Sequence, residues 1–320
     1  MRKYWLRALA LLALVLCGQA EAQQYPARPI TFVVAFAPGG VADTLARLIA
    51  HELEPRLGQS IVVENRPGAG GNIAAGVVSR AAADGYTLLV TTTALAINLT
   101  LHTHNQFTAA DFKAVAIAAS SPEALVANPS NPAKNLAELV KAAHGKSINF
   151  GSAGVGSGSH IEAEYFFKKI AKISAVHIPY QGGAPAIGAL MGNQIDVLAT
   201  TLGGAAAAQI KAGKLNGLGI ASAQRAAVVP NVPTYRELGF PNFQAASWVG
   251  IFAPAKTDPA IVTRLNAAIE DAIKDAAVQN KLKTIGFDPI EGSAVEADGY
   301  FRSEVAKWGE MVKALGLSID

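Results

Sequence analysis

Two glycine-rich turns contain the residues that are best suited to bind a small ligand. The first runs through Pro38, Gly39 and Gly40 to Asp43, and the second spans residues 151–160. Each follows an apolar run and precedes a helical pattern, which predicts a strand, a turn and a helix start. Glycine lets a ligand approach the backbone, and the first helical turn has unpaired N–H groups with partial positive charge. Such a helix end binds a carboxylate or phosphate without Lys or Arg.

The glycines do not match the nucleotide-binding patterns. Gly154 and Gly156 occupy the first two positions of G-x-G-x-x-G, but Ser159 stands at the third. The stretch 145–147 resembles the end of a P-loop, but Val140 stands where that motif has its first glycine and a helical pattern precedes it. We therefore expect no nucleotide and no cofactor.

The sequence also lacks the patterns of hydrolytic and metal sites. There is no G-x-S-x-G elbow, and Ser157, Ser159 and His160 are neighbours only along the chain, whereas a catalytic triad is defined in space. His102 and His104 form the closest histidine pair, and such a pair without further ligands is typical of a solvated loop. We expect no catalytic residue and no metal ligand.

Strand and helix patterns alternate along the chain and restart near residue 135. Strand patterns lie at 30–36, 61–63, 86–90, 148–150, 176–178, 195–198, 215–220 and 248–252. Helical patterns lie at 45–57, 72–82, 135–144, 160–169, 185–191, 261–274 and 294–315. This alternation predicts an α/β protein with mostly parallel strands covered on both faces. By spacing alone, the two turns are equally compatible with ordinary strand-to-helix connections, so a binding role is one of two interpretations.

Length and composition limit the class of protein. The chain has 320 residues, of which 51% are apolar and 16% are charged, so it can form two domains and is too apolar to be disordered as a whole. The net charge is +3 and no basic cluster is present. We expect no nucleic-acid partner, because such proteins concentrate their basic residues on one face.

The N-terminus has the pattern of a secretory signal peptide. Three cationic residues precede or border an apolar run at 8–16, and the small residues of Ala20-Glu21-Ala22 follow, which predicts cleavage after Ala22. The apolar run is about half of what a membrane span needs. Cys17 follows Leu16 rather than a small residue, so lipid anchoring is not expected. Removal of residues 1–22 leaves 24 cationic and 23 anionic residues and no cysteine, as suits a bacterial periplasmic protein.

At these turns and along the rest of the mature chain, the sequence resembles the Bug-type extracytoplasmic solute-binding proteins of tripartite tricarboxylate transporters. Each matching stretch is short, but their order and spacing together are specific. They lie at 25–30, 38–43, 63–72, 84–88, 149–154, 160, 179–180, 183–186, 196, 211–215, 230–234, 247–248 and 253–255.

The resemblance implies a type II periplasmic-binding-protein fold, with two α/β domains around a ligand cleft. The signal peptide would be residues 1–22, the first domain 23–124 plus 248–320, and the second domain 125–247. Two hinge crossings would lie near 122–128 and 245–250.

The resemblance also implies which residues contact the ligand, largely through backbone N–H groups. Carried over to this chain, the candidate ligand-binding residues are Pro38, Gly39, Gly40, Asp43, Thr91, Thr92, Gly151, Ser152, Ala153, Gly154, Ser157, His160 and Asp196. Asp43 differs from the others, because a carboxylate beside a bound anion would repel it. We expect it to accept N–H groups of its own turn. The family often has Thr at the positions of Ala42 and Ser157, which leaves the ligand's identity open.

The function implied is that of a periplasmic binding protein without catalytic activity. It would capture a small carboxylate by domain closure and deliver it to permease subunits in the membrane, acting as a monomer. Two alternatives remain at this point: presentation of the ligand to a membrane sensor, and a periplasmic hydrolase.

Overall fold

The structure is a computed structural model that describes residues 25–319. The predicted signal peptide, its cleavage point after Ala22 and Cys17 lie outside the described residues. Within the described part of the chain, no helix combines the length and the apolar character that crossing a membrane requires.

Strands and helices alternate through both halves. The strands are β1 (Ile30–Val34), β2 (Ile61–Asn65), β3 (Thr87–Thr92), β4 (Phe112–Ala127), β5 (Ser147–Ser152), β6 (Ser174–Pro179), β7 (Val197–Thr201), β8 (Asn216–Ile220), β9 (Ala246–Pro254) and β10 (Asp288–Pro289). The helices are α1 (Val41–Leu57), α2 (Asn72–Ser79), α3 (Ala94–Leu101), α4 (Leu136–Ala143), α5 (Gly158–Tyr165), α6 (Gly183–Met191), α7 (Ala205–Lys211), α8 (Pro259–Lys274), α9 (Ala276–Thr284) and α10 (Ala294–Leu315).

The first strand and helix illustrate how the sequence forms these elements. β1 is apolar at four of five positions and lies between β2, at the edge of the sheet, and β3, both parallel to it. α1 buries Leu45, Ile49 and Leu53 at four-residue steps, so one face packs on the sheet. It ends at Gly58, whose φ of 68° is left-handed and whose N–H donates to Glu54 O, as a glycine after a helix should.

Two long strands connect the two halves of the molecule. β4 pairs with β9 and β10 through its first part and with β7 and β8 through its second part, antiparallel in each case. The change of partners occurs near Pro122, where Leu202 N–H donates to Pro122 O and Glu123 N–H donates to Ala245 O. The sheet is therefore mixed rather than mostly parallel, because β4 and β9 both run against their neighbours.

The apolar side chains form a large first core and two smaller ones. The first core combines buried residues between 30 and 119 with those between 248 and 312, and we call this part the first lobe. The other two cores use residues between 124 and 245, around the part of the sheet formed by β5, β6, β7, β8 and the second part of β4, and we call this part the second lobe. Ile161 of α5 belongs to the first core although its helix follows β5, so α5 lies between the lobes. The domain boundaries at 124/125 and 247/248 stay a prediction.

Candidate ligand-binding cleft

The turn between β1 and α1 leaves N–H groups at the start of the helix available. The Asp43 carboxylate accepts a hydrogen bond from Gly39 N–H (2.8 Å) and one from Asn65 Nδ2 (2.9 Å), and it pairs with Arg47 (2.9 Å). The expected bond between Asp43 and its own turn is therefore confirmed. The first helical hydrogen bond runs from Thr44 N–H to Gly40 O, so the N–H groups before Thr44 have no partner within the helix.

The charge of Asp43 is stabilised where it lies. Burial raises its pKa, but the hydrogen bonds from Arg47, Gly39 N–H and Asn65 outweigh burial, so the pKa is lower than usual. Asp43 is therefore ionised at neutral pH, and its carboxylate stabilises the turn through hydrogen bonds.

The turn between β5 and α5 is held by its own serines. Ser157 caps α5, accepting from His160 N–H (3.2 Å), and its hydroxyl donates to Gly154 O (2.7 Å). Ser152 is fully buried, and its hydroxyl lies 2.6 Å from His177 Nε2. Ser159 accepts from Ala153 N–H (3.3 Å) and borders the cleft. The hydroxyls of Ser152 and Ser157 are thus engaged within the second lobe.

Two stacked histidines support this turn as neutral groups. The rings of His160 and His177 are 3.9 Å apart, and His160 Nδ1 accepts a hydrogen bond from Gly156 N–H (3.2 Å). Burial, followed by the neighbouring His177 and Lys168, lowers the pKa of His160 to about 3. Burial lowers the pKa of His177 to about 4. Neither ring supplies a positive charge to the cleft at neutral pH.

A third helix, α6, also begins at the cleft. Its N-cap is Gly182, whose φ of 139° is poorly accessible to other residues, and the first helical bond runs from Ala186 N–H to Gly182 O. The N–H of Gly183 therefore precedes the helical hydrogen bonds. The resemblance to the family included Gly183 but not Gly182, and neither was predicted to contact the ligand.

The starts of the three helices meet around one cavity that is partly open to solvent, which we call the central space. Its wall consists of residues from both lobes: Phe36, Gly40, Val41, Ala42, Thr92, Ala153, Gly158, Ser159, Gly183, Thr200, Thr201 and Ser247. The polar groups of this wall are backbone N–H groups at the helix starts and the hydroxyl groups of five side chains. None of these residues carries a formal charge, so an anion here would be held by dipoles and hydrogen bonds.

The predicted site residues fall into three groups in relation to this space. Gly40, Thr92 and Ala153 line it, and Gly154 lines an adjoining space of about 580 Å³ beyond Ala153. Thr91, Gly151, Ser152, Ser157 and His160 are buried but are not among the lining residues, and neither is the buried Asp43.

The remaining predicted residues lie on the surface. Pro38 and Gly39 are exposed, with Gly39 facing the Ala184 side chain of the opposite lobe. Asp196 is exposed, and its carboxylate accepts from Asn149 N–H (2.7 Å) rather than bordering either space.

Several lining residues were missed by sequence reasoning. Thr200 and Thr201 end β7, and Ser247 lies near the start of β9, far from either glycine-rich turn in sequence. A hydroxyl residue at the end of a predicted strand is the sequence signal that could have identified such residues. Only Thr91 and Thr92 were predicted as site residues on that basis.

The two lobes touch across the cleft. Ala37 N–H in the first lobe donates to Gln181 O in the second (3.2 Å). A Cβ on Gly158 of α5 would lie 2.7 Å from Thr93 Oγ1, and Thr93 Oγ1 lies 3.0 Å from Ser247 Oγ. The two lobes are therefore in direct contact, and α5 approaches the first lobe so closely at Gly158 that a side chain there would displace Thr93.

No metal centre is evident in the described part of the chain. Between residues 25 and 319, no group of three His, Cys, Asp or Glu side chains is placed to hold an ion. The chemistry of the central space is hydrogen bonding by neutral groups.

Comparison with known proteins places this geometry in a family. The family model described as "Tripartite tricarboxylate transporter family receptor" matches residues 45–317. Protein BugT of Bordetella pertussis is 34% identical over 311 residues, covering 95% of this chain and 94% of the relative.

Two solved structures from Rhodopseudomonas palustris are also similar. Rpa4515 with adipate is 32% identical with a TM-score of 0.88, covering 92% of this chain and 99% of that one. MatC with bound malate is 34% identical with a TM-score of 0.84, covering 90% of this chain and all of that one. The fold is that of these Bug-type binding proteins, and the chain belongs to the tripartite tricarboxylate transporter receptor family.

Proposed function

We propose that this protein is a periplasmic solute-binding protein that captures a small dicarboxylate in the central space and delivers it to a tripartite tricarboxylate-type permease. The observation that carries the proposal is the meeting of three helix N-termini and five hydroxyl residues around a space without a charged lining residue. Both walls belong to one chain, so a monomer suffices.

The energies of these contacts are adequate for tight binding. A helix end contributes roughly 0.3–1 kcal/mol to an anion, and up to about 2 kcal/mol when partly buried. A hydrogen bond to a charged group contributes about 1.5–3 kcal/mol. Micromolar affinity requires about 8 kcal/mol, which several such contacts reach together.

Relatives support a dicarboxylate over other anions. One similar structure holds adipate and another holds malate. The predicted signal peptide supports export, and the family supports a partner in the membrane. We infer that one carboxylate lies at the starts of α1, α5 and α6, and that the rest of the ligand extends past Ala153 toward the adjoining space.

Thermal unfolding with matched ligands tests the binding step. Malate and adipate are compared with malamide and adipamide, the uncharged diamides of the same length. At a hundredfold excess over Kd, a ligand stabilises the folded chain by about 2.7 kcal/mol, which raises Tm by several degrees. We expect this rise with at least one acid and not with its diamide. Equal shifts with acid and diamide, or no shift with any di- or tricarboxylate, would contradict the proposal.

Uptake by intact cells tests delivery. Deletion of this chain should abolish high-affinity uptake of the acid that binds, and the chain supplied in trans should restore it. Unchanged uptake after deletion would refute the transport step while leaving the binding step in place.

A further inference from the structure

The five hydroxyl side chains that line the central space differ in how their protons are used. Two of them, Thr200 and Thr201, lie at the end of β7. Thr201 Oγ1 donates to Glu123 Oε1 (2.8 Å), and Thr200 Oγ1 donates to Thr201 O (3.3 Å). A hydroxyl group has one proton and two lone pairs. Because both protons already have an acceptor within the protein, these two hydroxyls offer only lone pairs to a ligand.

The other three hydroxyls can still donate a hydrogen bond. Thr92 Oγ1 accepts from Ala94 N–H (3.3 Å), and within the described residues its proton has no acceptor. Ser159 and Ser247 each pair with another hydroxyl (3.2 and 3.0 Å), and either oxygen of such a pair can be the donor. These three hydroxyls can therefore donate to a carboxylate, whereas the two at the end of β7 cannot.

Glu123 is held firmly as the acceptor for Thr201. It is only 5% exposed, its backbone N–H donates to Ala245 O (3.0 Å) and its carbonyl oxygen accepts from Ala221 N–H (2.8 Å). Glu123 Oε1 is an acceptor when the carboxyl is ionised, and also when a proton is bound to Oε2. The hydroxyl of Thr201 therefore has a fixed partner behind the wall of the central space.

The two acceptor hydroxyls lie beside the helix starts at which we place the carboxylate of the ligand. A Cβ on Gly183, at the start of α6, would lie 3.7 Å from Thr200 Oγ1. A Cβ on Gly158, at the start of α5, would lie 3.4 Å from Glu123 Oε1, which is the atom that Thr201 contacts. The ligand group that meets these hydroxyls is therefore close to the bound carboxylate and not at the far end of the ligand.

We propose that Thr200 and Thr201 make the site selective for an acid that carries a hydrogen-bond donor, a hydroxyl or an ammonium group, on the carbon next to the bound carboxylate. This inference rests on the proposed function, which places that carboxylate at the helix starts. An acid without such a donor leaves the lone pairs of both threonines without a partner once the ligand has displaced water, and this lowers its affinity.

Calorimetry with matched four-carbon acids tests the selectivity in the wild type. Succinate, malate and aspartate have the same two carboxylates at the same separation and differ only in the group on one carbon, and both enantiomers of malate and of aspartate are used. Burial raises the pKa of Glu123 to about 8, so the titrations are made at pH 9, where both of its oxygens can only accept.

We expect at least one of the substituted acids to bind about tenfold more tightly than succinate, since one additional hydrogen bond is gained. Comparison of malate with aspartate distinguishes a hydroxyl from an ammonium donor. Succinate that binds as tightly as every substituted acid would overturn the proposal.

Variants of the threonines test which residues cause the preference. The ratio of the affinities for the better substituted acid and for succinate should fall in Thr201→Val and approach one in Thr200→Val/Thr201→Val, while Thr201→Ser should retain it. Thr92→Val is the matched control, because it removes a donor to the carboxylate and should weaken both acids by the same factor. A ratio that is unchanged in Thr201→Val would overturn the proposal, also where the double variant does not fold.

Adipate, which has no donor next to its carboxylates, separates this proposal from the proposed function. If adipate or succinate binds and no form of malate or aspartate binds more tightly than succinate, the selectivity is refuted and the proposed function stands. If none of these acids binds, the proposed function fails and the selectivity fails with it.

Discussion

At the scale of single residues, Asp43 stabilises the turn before α1 and does not line the central space. Its carboxylate accepts hydrogen bonds from Gly39 N–H, the Asn65 amide and the Arg47 guanidinium, and these bonds fix the turn before α1. The N–H groups at the start of α1 then remain for an anion.

Asp43→Ala should weaken the fold and the binding of the acid together. Removal of the carboxylate leaves the Gly39 N–H and one N–H of the Asn65 amide without their acceptor, at a cost of about 1–3 kcal/mol, while Asn65 Nδ2 still donates to Phe36 O. Urea unfolding at pH 7 measures the loss of stability. Asp271→Ala, which changes an exposed aspartate on α8, should stay within about 0.5 kcal/mol of wild type. Equal midpoints for Asp43→Ala and wild type would contradict the role of Asp43.

The contribution of Asp43 also has a predictable pH dependence. Its pKa is lowered in the folded protein, so the stabilisation is present above the ordinary aspartate value of 3.8 and is lost as pH falls through the folded-state pKa. The difference in urea midpoint between wild type and Asp43→Ala should therefore shrink in acid. A difference that stays constant from pH 7 to pH 3 would show that charge is not what Asp43 supplies.

The bracing role of Asp43 could be predicted from one sequence because it acts within its own turn. The hydroxyls of Thr200, Thr201 and Ser247 could not, because they reach the central space only through the pairing of β4 with β7 and β9. Ser152 was selected by its place in the glycine-rich turn, but its hydroxyl contacts His177 beneath that turn. The orientation of a side chain in a turn depends on tertiary neighbours that spacing does not reveal.

At the scale of elements, the cleft depends on how closely α5 approaches the first lobe. Gly158 begins α5, and a side chain there would meet Thr93 Oγ1 (2.7 Å from the Cβ position) and the carboxyl of Glu123 (3.4 Å). The contact with Thr93 lies across the two lobes, so we expect a methyl group at Gly158 to disturb the approach of the lobes more than the fold of either lobe.

Gly158→Ala should therefore lower affinity while the fold is retained. Alanine suits a helix better than glycine, so the stability of α5 itself should not suffer. We expect at least a tenfold loss of affinity for the acid by calorimetry, with an unchanged circular dichroism spectrum. Gly188→Ala on α6, where a Cβ meets nothing within 4 Å, is the matched control and should bind as wild type does. Wild-type affinity in Gly158→Ala would contradict the closure mechanism.

Helix and strand periodicity predicted most elements of both lobes, but not β4. Its sequence is rich in Ala and Ser and contains Pro122, which argues against a central strand. The proline is tolerated because it lies where β4 exchanges one set of partners for another. β4 pairs with different strands along its two parts and is buried on both faces. It therefore lacks the alternation of apolar and polar residues by which strands are recognised.

At the scale of the whole molecule, two lobes connected by β4 and β9 close on a space between them. The alternation of elements predicted an α/β protein, while the two-lobed arrangement came from the resemblance to the family and is confirmed by the similar solved structures. The expectation of a mostly parallel sheet was wrong, because the connecting strands are antiparallel to their neighbours. Strand direction in such connections depends on the path of the chain, which local patterns do not encode.

A crystal structure with the best-binding dicarboxylate tests the central claim most directly, that an anion is held between the lobes by helix ends and hydroxyls. We expect one carboxylate to accept hydrogen bonds from N–H groups at the starts of α1 and α5 or α6, with no Lys or Arg nitrogen within about 4 Å. A carboxylate paired with a cationic side chain, or bound outside the central space in the groove beside Arg80 and His102, would contradict the account.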